Sequence, residues 1–228
     1  MASKVLKLLE SSFRISNLAD SKVTAVIIID DIDNAGPLCD ALLSGGINSI
    51  ELTLRTDIAF DAIKFITRRF PEMLVGAGTV LTSDQLEKSI QSGASFAVAP
   101  GLDPKLVDKA NGFGFPFAPG ICTPSELQMA ISLECKVLKF FPSEPMGGIK
   151  YLRSMAAPFT HLDIKYIPLG GIGLDTVNNY LNSELVLCIG GSWIAKRKMI
   201  NDNNWEQIEK NSRNVKKIIE KTKKDLNE

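Results

Sequence analysis

Charged side chains occur in two segments of the sequence that are otherwise apolar and of strand length. In residues 49–55, the alternation of a β-strand sets Glu51, Thr53 and Arg55 on one face. A carboxylate and a guanidinium on the inner face of a strand are costly unless they are paired or used. These residues form either a buried ion pair or a carboxylate base beside a group that binds an anion.

The second such segment, residues 135–142, contains Lys139 between apolar and aromatic neighbours. Lysine is almost never fully buried without a partner. An apolar site favours the neutral amine, which can attack a ketone carbon and form a Schiff base. A structural lysine–glutamate ion pair is the competing interpretation. Lys136, at the start of the same segment, is expected to extend its ammonium group to solvent.

Two glycine pairs end the last two predicted strands and indicate an anion-binding site. They are Gly170-Gly171 and Gly190-Gly191, and the second pair is followed by Ser192. Because glycine has no Cβ, backbone N–H groups can converge on an anion at such positions. Phosphate sites after the seventh and eighth strands recur in barrel proteins. Thr79, which follows another predicted strand, is expected to line the mouth of the same pocket.

Eight apolar segments of strand length recur along the chain and are separated by helical patterns. The strand segments are residues 23–29, 49–54, 73–77, 95–99, 115–118, 136–141, 164–169 and 185–189. The helical patterns are residues 35–43, 58–69, 83–92, 104–111 and 124–132. This alternation predicts an α/β protein, either a closed (β/α)₈ TIM barrel or an open doubly wound sheet. The consecutive glycine pairs favour the barrel, as one domain over residues 1–228 with an N-terminal capping helix (1–20) and a C-terminal helix (204–228).

Composition and charge exclude several classes of protein. The 228 residues include 26 basic and 26 acidic side chains, so the net charge is zero and a dedicated nucleic-acid binder is disfavoured. The single histidine, His161, argues against multi-histidine metal sites and a Ser-His-Asp triad, and is expected on the surface. Four separated cysteines predict buried free thiols and a cytoplasmic location. No signal peptide or membrane-spanning run is expected.

The motifs together resemble the class I 2-dehydro-3-deoxy-phosphogluconate (KDPG) / 4-hydroxy-2-oxoglutarate (KHG) aldolase family, from about residue 23 to residue 200. The matching motifs are Glu-Leu-Thr-Leu-Arg-Thr at 51–56, Gly-Ala-Gly-Thr-Val at 76–80, Pro-Gly at 100–101, Lys-Phe-Phe-Pro-Ser-Glu at 139–144 and Gly-Gly-Ser-Trp at 190–193. The resemblance implies a carbon–carbon lyase that releases pyruvate, together with glyceraldehyde 3-phosphate or glyoxylate. It also implies a homotrimer that acts on a small 2-keto acid or sugar phosphate and uses no metal or other cofactor.

The resemblance assigns roles position by position. It implies that Lys139 forms the Schiff base and that Glu51 is the acid/base. Arg55 and Thr79 would bind the pyruvate carboxylate, and Pro100 and Phe141 would line the pocket. The residues implied for the distal phosphate are Gly170, Gly171, Gly190, Gly191 and Ser192.

One position departs from the family pattern. Members that cleave the phosphogluconate-derived substrate commonly have threonine before the seventh-strand glycine pair, where this chain has Leu169. Leucine offers no hydrogen bond to the hydroxyl groups of the substrate, so the preference at C4 is open. Arg55 and Ser192 favour a KDPG aldolase over the phosphogalactonate relative. A phosphate-binding barrel isomerase or synthase would also account for the glycine pairs, and so would a non-catalytic sugar-phosphate binding protein.

Overall fold

The computed structural model describes residues 15–225, with side chains through residue 222, as an α/β fold. The strands are β1 (Val23–Ile27), β2 (Ser49–Thr53), β3 (Leu74–Gly78), β4 (Phe96–Val98), β5 (Phe117–Ala118), β6 (Gly120–Ile121), β7 (Val137–Phe140), β8 (Lys165–Pro168) and β9 (Ile189–Gly191). The helices are α1 (Leu18–Ser21), α2 (Ala35–Ser44), α3 (Ala59–Arg69), α4 (Ser83–Gln91), α5 (Pro104–Gly112), α6 (Pro124–Ser132), α7 (Gly148–Ala156), α8 (Val177–Leu181), α9 (Arg197–Asn201) and α10 (Trp205–Asp225).

The described strands form two parallel sheets. One has six strands in the order β5-β4-β3-β2-β1-β9, and the other has three in the order β6-β7-β8. The predicted fifth strand, residues 115–118, contains β5, whereas β6 begins after it at Gly120 and belongs to the other sheet. Pro119, which has no N–H to donate, separates β5 from β6 and accepts a hydrogen bond from the amide of Lys139 through its carbonyl.

The predicted eighth strand, residues 185–189, begins too early. The strand in the structure is β9, which begins at Ile189 and pairs with β1 through Val23. Val186, inside the predicted range, makes only an isolated bridge with Tyr166. Residues 186–188 are buried by packing, whereas continuous pairing with β1 begins at Ile189.

Most strand residues are buried on both faces of the sheets. In β2, Ile50 and Leu52 pack into the large core between the sheets and the surrounding helices, whereas Glu51 and Thr53 lie on the opposite, inner face. A smaller apolar cluster lies on that inner face and includes Phe96, Val98, Val137, Ile167 and Leu169. This arrangement confirms the alternation predicted for residues 49–55.

Local signals set where several helices begin. Thr82 and Thr123 each complete a capping box, in which the threonine hydroxyl accepts the amide of the third helical residue. The end of α2 packs closely on α10. A Cβ at Gly45 would lie 2.2 Å from Cβ of Ser212, so the close approach of these elements requires glycine.

The predicted terminal helices are described only in part. Residues 1–14 and 226–228 lie outside the described residues; of the N-terminal prediction only the 3₁₀ turn Ile15–Asn17 and α1 fall within them. The four cysteines are free, Cys39 and Cys188 buried and Cys122 and Cys135 half-buried. Across the described part of the chain, no helix is long and apolar enough to cross a membrane.

Candidate active site

Lys139 and Glu51, which are 88 residues apart, meet at the centre of the inner face. Lys139 is carried by β7 and Glu51 by β2, and Nζ of Lys139 lies 3.0 Å from Oε1 and 3.4 Å from Oε2 of Glu51. Their side chains are only 4% and 5% exposed. A buried ammonium and carboxylate in contact satisfy each other, and proton transfer between them needs no rearrangement.

The neighbouring strand leaves room for this pair. Gly78 of β3 is the register partner of Thr53, and a Cβ at Gly78 would lie 2.3 Å from Oε1 of Glu51. Only a residue without a side chain fits there while the carboxylate stays in place. On the other side, the ring of Phe141 lies with its centroid 5.7 Å from Nζ of Lys139. This ring shields the amine and interacts favourably with its charged form.

The pair lies in a cavity of about 530 Å³ at the carboxyl ends of the strands. Its lining residues are Val26, Ile28, Glu51, Thr53, Arg55, Thr79, Pro100, Lys139, Phe141, Leu169, Gly170, Gly190, Ser192, Ala195, Lys196 and Arg197. The structure thus brings ten of the twelve residues predicted from the sequence to one cavity. A volume of this size accommodates a small metabolite.

The two remaining predicted residues, Gly171 and Gly191, are not part of the cavity lining. A Cβ at Gly171 would lie 2.7 Å from Cβ of Glu144, and one at Gly191 would lie 2.6 Å from the ring of Trp193. Both positions require glycine because a neighbouring segment packs against the backbone. Their predicted role, binding the distal phosphate through backbone amides, stays a prediction.

Arg55 and Glu51 do not form the ion pair that was one interpretation of their shared face. Glu51 contacts Lys139, and Arg55 is exposed at the mouth of the cavity. Within residues 15–222, no salt bridge or side-chain hydrogen bond involves Arg55. Its guanidinium is therefore available to an anionic ligand.

The sequence interpretation missed Lys196 and Arg197, which also line the mouth. Arg197 donates to Asp30, with Nε 2.7 Å from Oδ2, and Asn201 donates to the same oxygen at 2.9 Å. These hydrogen bonds, first from Arg197 and then from Asn201, lower the pKa of Asp30 to about 2. The Lys-Arg-Lys run shortly after Ser192 was the signal that could have located this second group of cations.

Thr53 is a further cavity residue that is not among the predicted site residues. It is 2% exposed and lines the cavity, and its hydroxyl has no hydrogen-bond partner among the described protein atoms. Buried hydroxyl groups are normally satisfied. In this position, the hydroxyl of Thr53 can bind a ligand that enters the cavity.

The two predicted peripheral residues, Lys136 and His161, lie at the surface. Lys136 is exposed and its Nζ reaches the carbonyl of Leu162 at 3.4 Å, and His161 is exposed. In the described part of the chain, no three His, Cys, Asp or Glu side chains are arranged to bind a metal ion.

Comparison with known proteins gives a consistent family. Residues 15–211 match the family model described as KDPG and KHG aldolase. The chain is similar to a 2-dehydro-3-deoxy-phosphogluconate aldolase of Haemophilus influenzae, with 38% identity over 205 residues, which is 90% of this chain and 96% of the relative. It is also similar to a KHG/KDPG aldolase of Escherichia coli K12, with 40% identity over 198 residues, 87% of this chain and 92% of the relative.

The fold is similar to that of a solved KDPG aldolase. The structure of the Legionella pneumophila enzyme, with pyruvate captured at low pH as a covalent carbinolamine intermediate, superposes with a TM-score of 0.82. The two chains are 36% identical, and the match covers 86% of this chain and 94% of the other.

Proposed function

The chain belongs to the KDPG and KHG aldolase family, and we propose that it is a class I aldolase that cleaves 2-dehydro-3-deoxy-6-phosphogluconate to pyruvate and glyceraldehyde 3-phosphate. It would also cleave 4-hydroxy-2-oxoglutarate to pyruvate and glyoxylate. The observation that carries this proposal is the contact of the buried Lys139 ammonium with Glu51 inside the cavity.

In the proposed reaction, Lys139 is the nucleophile. Its neutral amine attacks the C2 carbonyl, and the carbinolamine loses water to give a protonated imine. A base then removes the proton of the C4 hydroxyl, the C3–C4 bond breaks and its electrons move to the imine nitrogen. The aldehyde leaves and an enamine remains. Protonation of the enamine at C3, followed by hydrolysis of the imine, releases pyruvate and restores the amine.

Glu51 is the proposed acid/base for these steps. The 3.0 Å contact of its carboxylate with Nζ of Lys139 supports proton transfer during carbinolamine formation and dehydration. The same carboxylate would accept the C4 hydroxyl proton and return it to C3 of the enamine. A single carboxylate can serve both steps because the proton taken in one is needed in the next.

The remaining residues would hold the two ends of the substrate. We assign the pyruvate carboxylate to Arg55 and Thr79, and the sides of the pocket to Pro100 and Phe141. The distal phosphate is assigned to the glycine loops and their serine: Gly170, Gly171, Gly190, Gly191 and Ser192. Leu169 would lie against the hydroxyl groups between the two ends.

We also propose that the two sheets close into one (β/α)₈ barrel in a single domain. Glu51 of the six-stranded sheet contacts Lys139 of the three-stranded sheet, so the inner faces of the two sheets meet. Tyr166 of β8 forms a bridge with Val186, shortly before β9, so the edges of the two sheets are also joined there. A homotrimer and a reaction without a metal are further proposals that rest on the family resemblance, and light scattering would test the trimer. A cytoplasmic location is proposed from the four free cysteines.

Borohydride reduction in the presence of pyruvate tests the proposed function. The protein should gain the mass of one reduced pyruvyl adduct, and Lys139→Ala should gain none. An unmodified wild-type protein at saturating pyruvate would refute the Schiff base. An adduct without cleavage of any of the three candidate substrates, including the phosphogalactonate compound, would refute the aldolase and leave a binding protein.

A further inference from the structure

Three side chains outside the cavity form one hydrogen-bonded cluster behind the first glycine loop. Tyr180 of α8 is fully buried, and its hydroxyl donates to Oε1 of Glu144. The hydroxyl of Ser143 lies 2.8 Å from the same tyrosine oxygen. Because tyrosine has one hydroxyl proton and gives it to the carboxylate, Ser143 must be the donor to Tyr180.

The backbone of Ser143 and Glu144 holds the glycine loop. The amide of Ser143 donates to the carbonyl of Leu169 at 2.7 Å, and the amide of Glu144 donates to the carbonyl of Gly170 at 2.9 Å. Gly171 is packed against the Glu144 side chain, since a Cβ at Gly171 would lie 2.7 Å from Cβ of Glu144. The position of residues 169–171 therefore depends on where residues 143 and 144 are held.

Tyr180 connects this segment to α8. This helix follows the glycine loop in the chain. The hydrogen bonds of Tyr180 to Ser143 and Glu144 therefore join the helix to the segment that holds the loop. Burial, and after it Glu144, raises the pKa of Tyr180 well above its usual range, so the hydroxyl remains a donor at neutral pH. Within residues 15–222, none of these three side chains belongs to the cavity lining.

We propose that Tyr180 is a positioning residue for the distal phosphate of the substrate, acting through Glu144 and Ser143 on the loop that contains Gly170 and Gly171. This inference rests on the proposed function. When the tyrosine hydroxyl is removed, the loop loses its support and the Glu144 carboxylate is released beside the phosphate site. Both consequences weaken phosphate binding, and neither reaches Lys139 or the end of the cavity proposed for the pyruvate carboxylate.

The test compares phosphorylated and unphosphorylated substrates in Tyr180→Phe. The KM for KDPG should rise about tenfold, because a displaced glycine loop loses on the order of one hydrogen bond to the charged phosphate. The kcat for KDPG, the kcat/KM for 4-hydroxy-2-oxoglutarate and the pyruvate concentration for half-maximal borohydride trapping should stay within twofold of wild type. An equal change for both substrates, or an unchanged KM for KDPG, would overturn the proposal.

Two further variants separate positioning from a general loss of stability. Tyr151→Phe is the matched control, because the Tyr151 hydroxyl also donates one hydrogen bond, to the carbonyl of Cys122 at 2.9 Å, but does not contact the glycine loop. It should leave every KM unchanged. Glu144→Gln keeps an oxygen acceptor for Tyr180 and should keep the KM for KDPG, whereas Glu144→Ala should raise it. A rise of equal size in Glu144→Gln would also overturn the proposal.

The same measurements distinguish the two levels of inference. If the wild-type protein is not trapped by pyruvate, the proposed function fails. If the wild-type protein is trapped and cleaves KDPG, but Tyr180→Phe has the wild-type KM, only the role of Tyr180 fails.

Discussion

Replacement of Gly78 by alanine is expected to displace the carboxylate of Glu51 from Lys139. The added Cβ would lie 2.3 Å from Oε1, 2.8 Å from Cδ and 2.9 Å from Cγ of Glu51. The backbone of Gly78 is outside the left-handed region, so alanine can adopt it without backbone strain. The side chain that must move is therefore that of Glu51.

The size of the effect follows from the distance. Oε1 must withdraw by about 1 Å before it is in ordinary van der Waals contact with the new methyl group. A displacement of about 1 Å in a catalytic group costs roughly 10²-fold in rate. We therefore expect kcat for KDPG cleavage to fall about 100-fold, which corresponds to about 2.7 kcal/mol in the activation barrier.

The assay measures pyruvate release by reduction to lactate, and the folded state is checked by urea unfolding. Gly112→Ala is the matched control, because a Cβ at Gly112 has no atom within 4 Å, and it should retain the wild-type kcat. A kcat of Gly78→Ala within threefold of wild type, or an equal fall of kcat in the Gly112→Ala control, would refute the reasoning.

Three more outcomes are expected from the structure. The contribution of the Asp30–Arg197 ion pair to the stability of the protein should be fully present above pH 3.8, the ordinary pKa of Asp30, and lost as the pH falls through about 2. The difference in urea midpoint between wild type and Asp30→Asn should shrink over that range, and a constant difference would contradict this. Leu169→Thr adds a hydroxyl to the cavity wall and should change the ratio of kcat/KM for the phosphogluconate and phosphogalactonate substrates; an unchanged ratio would remove Leu169 from specificity. Thr123→Ala removes a capping box and should lower the free energy of unfolding by about 1 kcal/mol, with an unchanged kcat; a larger loss together with reduced kcat would place that helix start in the site.

Helix positions could be predicted because their signals are local. The pattern at residues 124–132 coincides with α6, and the pattern at residues 58–69 begins one residue before α3. A threonine cap, a proline in the first turn and an acidic third residue act on neighbouring amides, whatever the rest of the fold does. Such signals do not depend on partners that are distant in sequence.

Strand ends could not be predicted as well, because a strand needs a partner. The apolar run from residue 185 satisfies the composition of a strand, yet its continuous partner, β1, is first reached at Ile189. The short strand β6, which follows Pro119 and lies outside the predicted fifth strand, was missed for the same reason, since the pairing changes from one sheet to the other there. The ion pair between Asp30 and Arg197 was missed because the two residues are 167 positions apart and the sequence around each is typical of a charged surface residue.

Strand geometry limits which cation can pair with Glu51. Glu51 and Arg55 are four residues apart, which is about 13 Å along an extended strand, so they share a face without reaching each other. A buried carboxylate on that face needs a cation from another strand, and Lys139 is a buried cation in a predicted strand with the same requirement. A structural ion pair and a catalytic base acting on its lysine are therefore two interpretations of the same contact, that between Glu51 and Lys139. Among residues 15–222, Arg55 pairs with no internal side chain, which leaves its charge at the mouth of the cavity for the carboxylate proposed to bind there.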